Sequence, residues 1–81
     1  MIRTATMALR PVVPPQYLCP ITQAVMQDPV TTADGHTYER SAIERWLRTH
    51  DTSPSTGARL SHKELAPAIA LRQLIREFGS G

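Results

Sequence analysis

Nine residues in the middle of the chain, VTTADGHTY from Val30 to Tyr38, set β-favouring side chains on both sides of Asp34-Gly35. That dipeptide tolerates positive φ and suits a tight hairpin turn, so two antiparallel strands are predicted here. The pattern then changes period. Ser41-Ala42-Ile43-Glu44 matches the S-x-x-E capping box, in which hydroxyl and carboxylate each satisfy a free backbone N–H at a helix start. A first helix is predicted from Glu39 or Ser41 to His50. Ile43 and Leu47 lie four apart on one face, with Ala42 and Trp46 on a neighbouring stripe. One stripe is expected in the core and the other partly exposed. Asp51 to Ala58, DTSPSTGA, is dense in turn formers and reads as a loop. Leu71, Leu74, Ile75 and Phe78 recur at i, i+3, i+4 and i+7, predicting a second amphipathic helix after Pro67. The order is loop, hairpin, helix, loop, helix, an α+β arrangement with a core of about ten apolar side chains.

Outside these elements there is little to fold. Residues 1–14 show no period, and Pro11, Pro14 and Pro15 oppose a helix, so this stretch is expected to be a tail or linker. Gly79-Ser80-Gly81 reads as a linker or cloning remnant, leaving residues 15–78 as the domain. No internal repeat is visible.

Eighty-one residues lie near the lower limit at which one apolar core outweighs chain entropy, so a further stabilising device is required. Cys19 is the single cysteine, which excludes an internal disulfide and gives no sign of an oxidising compartment. An intracellular location, cytoplasmic or nuclear, is expected. Structural zinc needs four ligands in paired spacing. Cys19, His36, His50 and His62 are scattered without pairing, so no metal and no other cofactor is expected. The net charge of +2 comes from nine basic residues interleaved with seven acidic ones, the pattern of an ordinary solvated surface. With four aromatic side chains of the Phe, Trp and Tyr types there are too few for a base-stacking platform, and nucleic acid is not an expected partner. No stretch approaches the roughly 18 apolar residues of a membrane span.

Most individual residues that invite a chemical reading have a simpler one. Asp34 is expected to be a turn residue, Glu44 a helix cap, and His36 a surface or structural residue with no carboxylate pair or nucleophile near it in sequence. Cys19 has no His or Asp companion in a supporting motif and reads as a small buried hydrophobe. No residue is therefore assigned a catalytic role.

The stretch YLCPITQAVMQDPVTTADGHTYERSAIERWL, residues 17–47, resembles the signature of the U-box family. Its landmarks are Cys19-Pro20-Ile21, Asp28-Pro29-Val30, Gly35, Tyr38-Glu39-Arg40, Ile43 and Trp46-Leu47. Ser53-Pro54, Thr56, Leu60, Leu65, Pro67, Leu71 and Ile75 follow in that family's order. The resemblance implies a RING-like fold without zinc: two loops around a hairpin and central helix, closed by a C-terminal helix. It also implies that hydrogen bonds and salt bridges replace the metals, with Cys19, Asp28, Glu39, Arg40, Ser53 and Thr56 as candidates. Loss of Glu39 is expected to loosen or unfold the domain.

As a U-box, the chain would act as a ubiquitin ligase module, docking a conjugating enzyme charged with ubiquitin and promoting transfer to a lysine of an unidentified protein substrate. It would work by positioning, with no covalent intermediate on this chain. The resemblance puts Ile21 at the apolar anchor of the docking groove, with Gln23, Trp46, Pro54 and Gly57 around it. Two departures stand out. Active family members commonly carry a long donor three residues after the loop-two proline, where this chain has Gly57; Arg59 lies two residues on. Ala68 stands where the family typically has Asn, a loss of about 1 kcal/mol of helix capping. A non-catalytic scaffold domain is the first alternative, a small nucleic-acid-binding domain the second, and homodimerisation is left open.

Overall fold

A computed structural model of the chain describes residues 12–80; the expected tail falls almost wholly outside them. Three short strands and two helices follow a single 3-10 turn at Pro15–Tyr17, where Pro15 supplies the fixed φ of a first helical position. β1 (Pro29–Thr31) and β2 (Thr37–Glu39) form the predicted hairpin, with Val30 opposite Tyr38. Its turn is not the two-residue type that Asp-Gly suggests. The Gly35 N–H reaches the Thr32 carbonyl and the Thr32 N–H reaches the His36 carbonyl, each at 2.9 Å. Gly35 alone takes positive φ, +85°, the three-residue turn with a glycine bulge.

A third strand, β3 (Ala66–Pro67), pairs with the other edge of β1, giving the order β2-β1-β3. Sequence pattern did not predict it. Two residues carry no period, and proline is tolerated because β3 is an edge strand that need not donate on both sides.

α1 (Arg40–Leu47) starts between the two expected residues, Glu39 and Ser41, but ends three residues before His50 and is capped differently. Its N-cap is Glu39, which makes no side-chain capping bond; Ser41 sits inside the first turn, so the predicted capping box does not form. The Arg40 N–H instead donates to the Asp28 carbonyl at 3.0 Å. The helix stops at Leu47 because Thr49 and His50 both turn their N–H groups back to the Trp46 carbonyl, at 3.2 and 3.1 Å. Lys63 Nζ donates to the Leu47 carbonyl at 3.1 Å, a cation placed at the negative end of the helix.

α2 (Ile69–Ser80) closes the domain and continues through Gly79 and Ser80, whose composition reads as linker. Of its predicted apolar face, Ile75 is buried, Leu71 and Phe78 are half-buried, and Leu74 is exposed. Phe78 meets Tyr17 edge-to-face with ring centroids 5.5 Å apart, a favoured aromatic geometry. The missing cap at Ala68 is compensated locally, since the Ala68 N–H donates to the Pro29 carbonyl at 2.9 Å and ties the helix start to β1. The core comprises Cys19, Met26, Val30, Tyr38, Ala42, Ile43, Leu47, Leu60 and Ile75. Both the Ile43–Leu47 stripe and Ala42 are buried, and Trp46 is half-buried.

Candidate functional site

Two loops flank the hairpin and helix, and they are built on one plan. In loop one the Cys19 N–H donates to the Ala24 carbonyl (2.9 Å) and the Gln23 N–H to the Cys19 carbonyl (2.7 Å). In loop two the Ser53 N–H donates to the Ala58 carbonyl (2.7 Å) and the Gly57 N–H to the Ser53 carbonyl (2.8 Å). Thr22 Oγ1 accepts from the Ala24 N–H and Thr56 Oγ1 from the Ala58 N–H, at 3.2 and 3.1 Å. Antiparallel bridges, Leu18 to Val25 and Thr52 to Arg59, close the two loops. The segments CPITQA and SPSTGA thus correspond position by position, and the expectation of no internal repeat is corrected. Gln23 and Gly57 occupy equivalent places with φ of +62° and +78°. A non-glycine residue in that region carries strain, and at Gln23 the closed loop holds it there.

Each loop is pinned by its own polar cluster. Around loop one, Glu39 directs both carboxylate oxygens at backbone donors, the Gln27 N–H at 2.7 Å and the Asp28 N–H at 2.8 Å. The Glu39 N–H reaches Cys19 Sγ at 3.3 Å. Arg40 Nε donates to Asp28 Oδ2 at 2.7 Å, and the Asp28 carboxylate raises the Arg40 pKa, chiefly through this bond. Cys19 is fully buried, in keeping with its reading as a packed thiol. Arg40 and Asp28, by contrast, keep 36% and 39% of their side-chain surface exposed. The pair is thus a partly exposed salt bridge, and the cost of breaking it is smaller than for a buried one.

Around loop two, Ser53 is the hub, at 1% exposure. Its hydroxyl oxygen accepts from the Ser55 and Thr56 N–H groups at 3.3 and 3.4 Å. Its proton is therefore free for an acceptor across the gap. The buried Tyr38 hydroxyl lies 3.4 Å from Ser53 Oγ and 2.7 Å from Ser55 Oγ. Asp34 belongs to the same cluster, and so does more than occupy a turn. Hydrogen bonding from Ser53 foremost, then from Thr32, with the charge of His36 adding, lowers its carboxyl pKa to about 2 against the opposing effect of burial. His36, exposed as its surface reading expects, has Nδ1 3.1 Å from Asp34 Oδ2. Tyr38, Ser55, Thr32, Asp34 and His36 were thus missed as members of the loop-two cluster. Asp34, Gly35 and His36 come from the hairpin turn, and a turn signal in sequence says nothing about which distant loop the turn touches.

Beside loop one lies a groove of about 440 Å³ lined by Ile21, Thr22, Ala42, Arg45, Trp46, Thr49 and His50. Ile21 is 38% exposed, a large apolar side chain left at the surface. Trp46 forms the opposite wall; its Nε1–H donates to the Thr52 carbonyl at 2.7 Å, so the indole is fastened to loop two. Of the five residues assigned to docking, Ile21 and Trp46 come together in this groove. Gln23, Pro54 and Gly57 lie outside its lining, Pro54 half-buried and the other two exposed. Arg59 pairs with Asp51 at 3.3 Å, its side chain 81% exposed. Ala42, Arg45 and Thr49 were missed, although they stand four before, one before and three after Trp46, the spacing that extends one helical face. Among the described residues, no group of three or more His, Cys, Asp or Glu side chains converges as a metal site, and no helix is long and apolar enough to cross a membrane.

Comparison with known proteins agrees with this architecture. The model of the U-box domain matches residues 13–80. U-box domain-containing protein 57 of Arabidopsis thaliana is 52% identical over 67 residues, covering 82% of this chain and 17% of that protein. U-box domain-containing protein 36 of Arabidopsis thaliana is 54% identical over 67 residues, 80% of this chain and 15% of the relative. U-box domain-containing protein 70 of Oryza sativa subsp. japonica is 54% identical over 67 residues, 80% of this chain and 8% of the relative. The chain thus spans a small fraction of each relative's length, and the similarity concerns this domain alone. On the family match along nearly all of the described residues, with the sheet, helices and paired polar loops that accompany it, the chain belongs to the U-box domain family.

Proposed function

We propose that this domain is a ubiquitin ligase module that receives a ubiquitin-conjugating enzyme in the groove between loop one and α1. The supporting observation is the juxtaposition of Ile21, 38% exposed, with the Trp46 indole in one groove of about 440 Å³. An apolar anchor beside a fixed tryptophan, with polar Thr22, Arg45, Thr49 and His50 around them, is the composition of a binding hot spot and its water-excluding rim. The contribution to transfer is orientation. Holding the ubiquitin thioester in one geometry for attack by a substrate lysine makes an intermolecular encounter close to unimolecular, and it requires no nucleophile on the domain.

A second reading, a scaffold that binds the conjugating enzyme without stimulating transfer, is favoured by Gly57. It lacks a side chain, stands at φ +78° and faces open space, and Arg59 is engaged by Asp51. Discharge of ubiquitin from a panel of loaded conjugating enzymes to free lysine separates the two. The ligase reading expects acceleration by the wild type and its loss in Ile21→Ala at unchanged thermal stability. Binding without acceleration by any enzyme of the panel favours the scaffold. Acceleration that survives Ile21→Ala at the wild-type level places docking elsewhere.

A further inference from the structure

Among the groove residues to which neither the sequence pattern nor the family resemblance gives a role is His50. The His50 imidazole lies flat on the Trp46 indole, with ring centroids 3.7 Å apart and planes inclined by 6°. It is anchored at the end of α1. Nδ1 is 3.1 Å from the Trp46 carbonyl and 2.9 Å from Thr49 Oγ1, and the His50 N–H donates to that same carbonyl. The carbonyl contact calls for a proton on Nδ1; the alternative tautomer accepts from the Thr49 hydroxyl. Either way the ring is tied at one edge. Trp46 is therefore held at two points, its Nε1–H on Thr52 of loop two and one face under an imidazole. His50 is exposed and lies outside the buried core. A stacked, tethered ring at an exposed position beside a docking groove contributes more to the shape of that groove than to the core.

We propose that His50 is a positioning residue of the groove: it braces the Trp46 indole in the orientation that a partner meets, so that the wall is formed before binding. This rests on the docking function proposed above. An unbraced indole is free to sample other rotamers, and the partner then has to immobilise it on binding. The ordering of one such side chain corresponds to a loss of about three- to tenfold in affinity.

Trp46 is the single tryptophan of the chain, so its fluorescence reports on the brace without any partner. The test compares wild type, His50→Ala and His50→Phe, the last retaining a flat ring for stacking while removing Nδ1. Circular dichroism first establishes that all three are folded. In the free domain, His50→Ala is expected to change the Trp46 emission and to raise its quenching by acrylamide, while His50→Phe keeps the quenching near wild type. Titration with the conjugating enzyme that binds wild type most tightly is expected to give about three- to tenfold weaker binding for His50→Ala, with recovery in His50→Phe to within about twofold. In the discharge assay, the concentration of domain needed for half-maximal stimulation rises in His50→Ala and the plateau does not change. Unchanged quenching in His50→Ala overturns the brace. Changed quenching with wild-type affinity, or a lowered plateau at unchanged affinity, overturns its role in docking. If the wild type itself binds no conjugating enzyme, it is the docking function that fails, and the positioning role with it.

Discussion

Removing the Glu39 carboxylate provides the sharpest test of how a domain of this size holds together. Glu39 accepts from the Gln27 and Asp28 N–H groups at 2.7 and 2.8 Å, fixing the turn that leads from loop one into β1. A net bond to a charged acceptor contributes about 1.5 to 3 kcal/mol. The two losses are unequal. Gln27 is exposed and its N–H can turn to water, whereas the Asp28 bond is half-buried and leaves a partly desolvated donor behind. A total of about 2 to 3 kcal/mol follows for Glu39→Ala, below the 3 to 5 kcal/mol typical of breaking a fully buried ion pair. A domain of this length has roughly 3 to 10 kcal/mol of stability in all, and each kcal/mol lost lowers the melting temperature by about 4 to 8 °C. Thermal unfolding followed by circular dichroism is therefore expected to shift down by about 10 to 20 °C. Glu39→Gln, which keeps one acceptor oxygen, is expected to fall between. Glu44→Ala, which the capping-box reading would make costly, is expected to change stability by about 0.5 kcal/mol or less. A Glu39→Ala melting temperature within about 2 °C of wild type, equivalent to well under 1 kcal/mol, would refute this account of loop one.

Three further outcomes follow. Tyr38→Phe removes the hydroxyl that spans from the core to Ser55 and Ser53 and is expected to cost about 1 kcal/mol, whereas Ser53→Ala strips the acceptor from two backbone donors and is expected to cost about 1 to 3 kcal/mol; chemical denaturation measures both. Asp34 has its folded-state pKa lowered from 3.8 to about 2, so its stabilising effect is full above pH about 4 and is lost as the pH falls through 2. The stability difference between wild type and Asp34→Asn is thus expected to shrink as the pH falls from 4 to 2, and a difference that does not change over that range would contradict the assignment. Gly57→Arg is expected to cost about 1 to 2 kcal/mol for a side chain at positive φ, with no steric clash because a Cβ there meets nothing within 4 Å, and to raise lysine discharge at saturating conjugating enzyme.

Where the sequence was informative, the cause was local and periodic. The hairpin, both helices and the turn-rich loop two announce themselves within windows of a dozen residues, and Ile43, Leu47 and Ile75 are buried as their spacing demands. The S-x-x-E pattern misled because a capping box competes with whatever else is nearby. Here the Asp28 carbonyl, brought up by β1, takes the Arg40 N–H, and the helix starts two residues earlier than a Ser41 cap would place it. β3 was illegible because two residues, one of them proline, have no signature apart from the strand they meet. The candidate site divides in the same way. Ile21 and Trp46 were named from resemblance and do share a groove, but the tethering of Trp46 by Thr52 and His50 depends on how the helix ends. The common plan of the two loops was present in the sequence as Pro, Thr and Ala at matching places in CPITQA and SPSTGA; such a short match acquires meaning only when the same bonds are seen in both.

An NMR titration of the isotopically labelled domain with unlabelled ubiquitin-conjugating enzymes decides whether the Ile21–Trp46 groove is where such an enzyme docks. At least one enzyme of a panel is expected to perturb the amides of Ile21, Thr22, Arg45 and Thr49 and the indole N–H of Trp46, with little change on the exposed face of α2 around Leu74. Absence of any perturbation across the panel, or perturbations confined to α2, would contradict it.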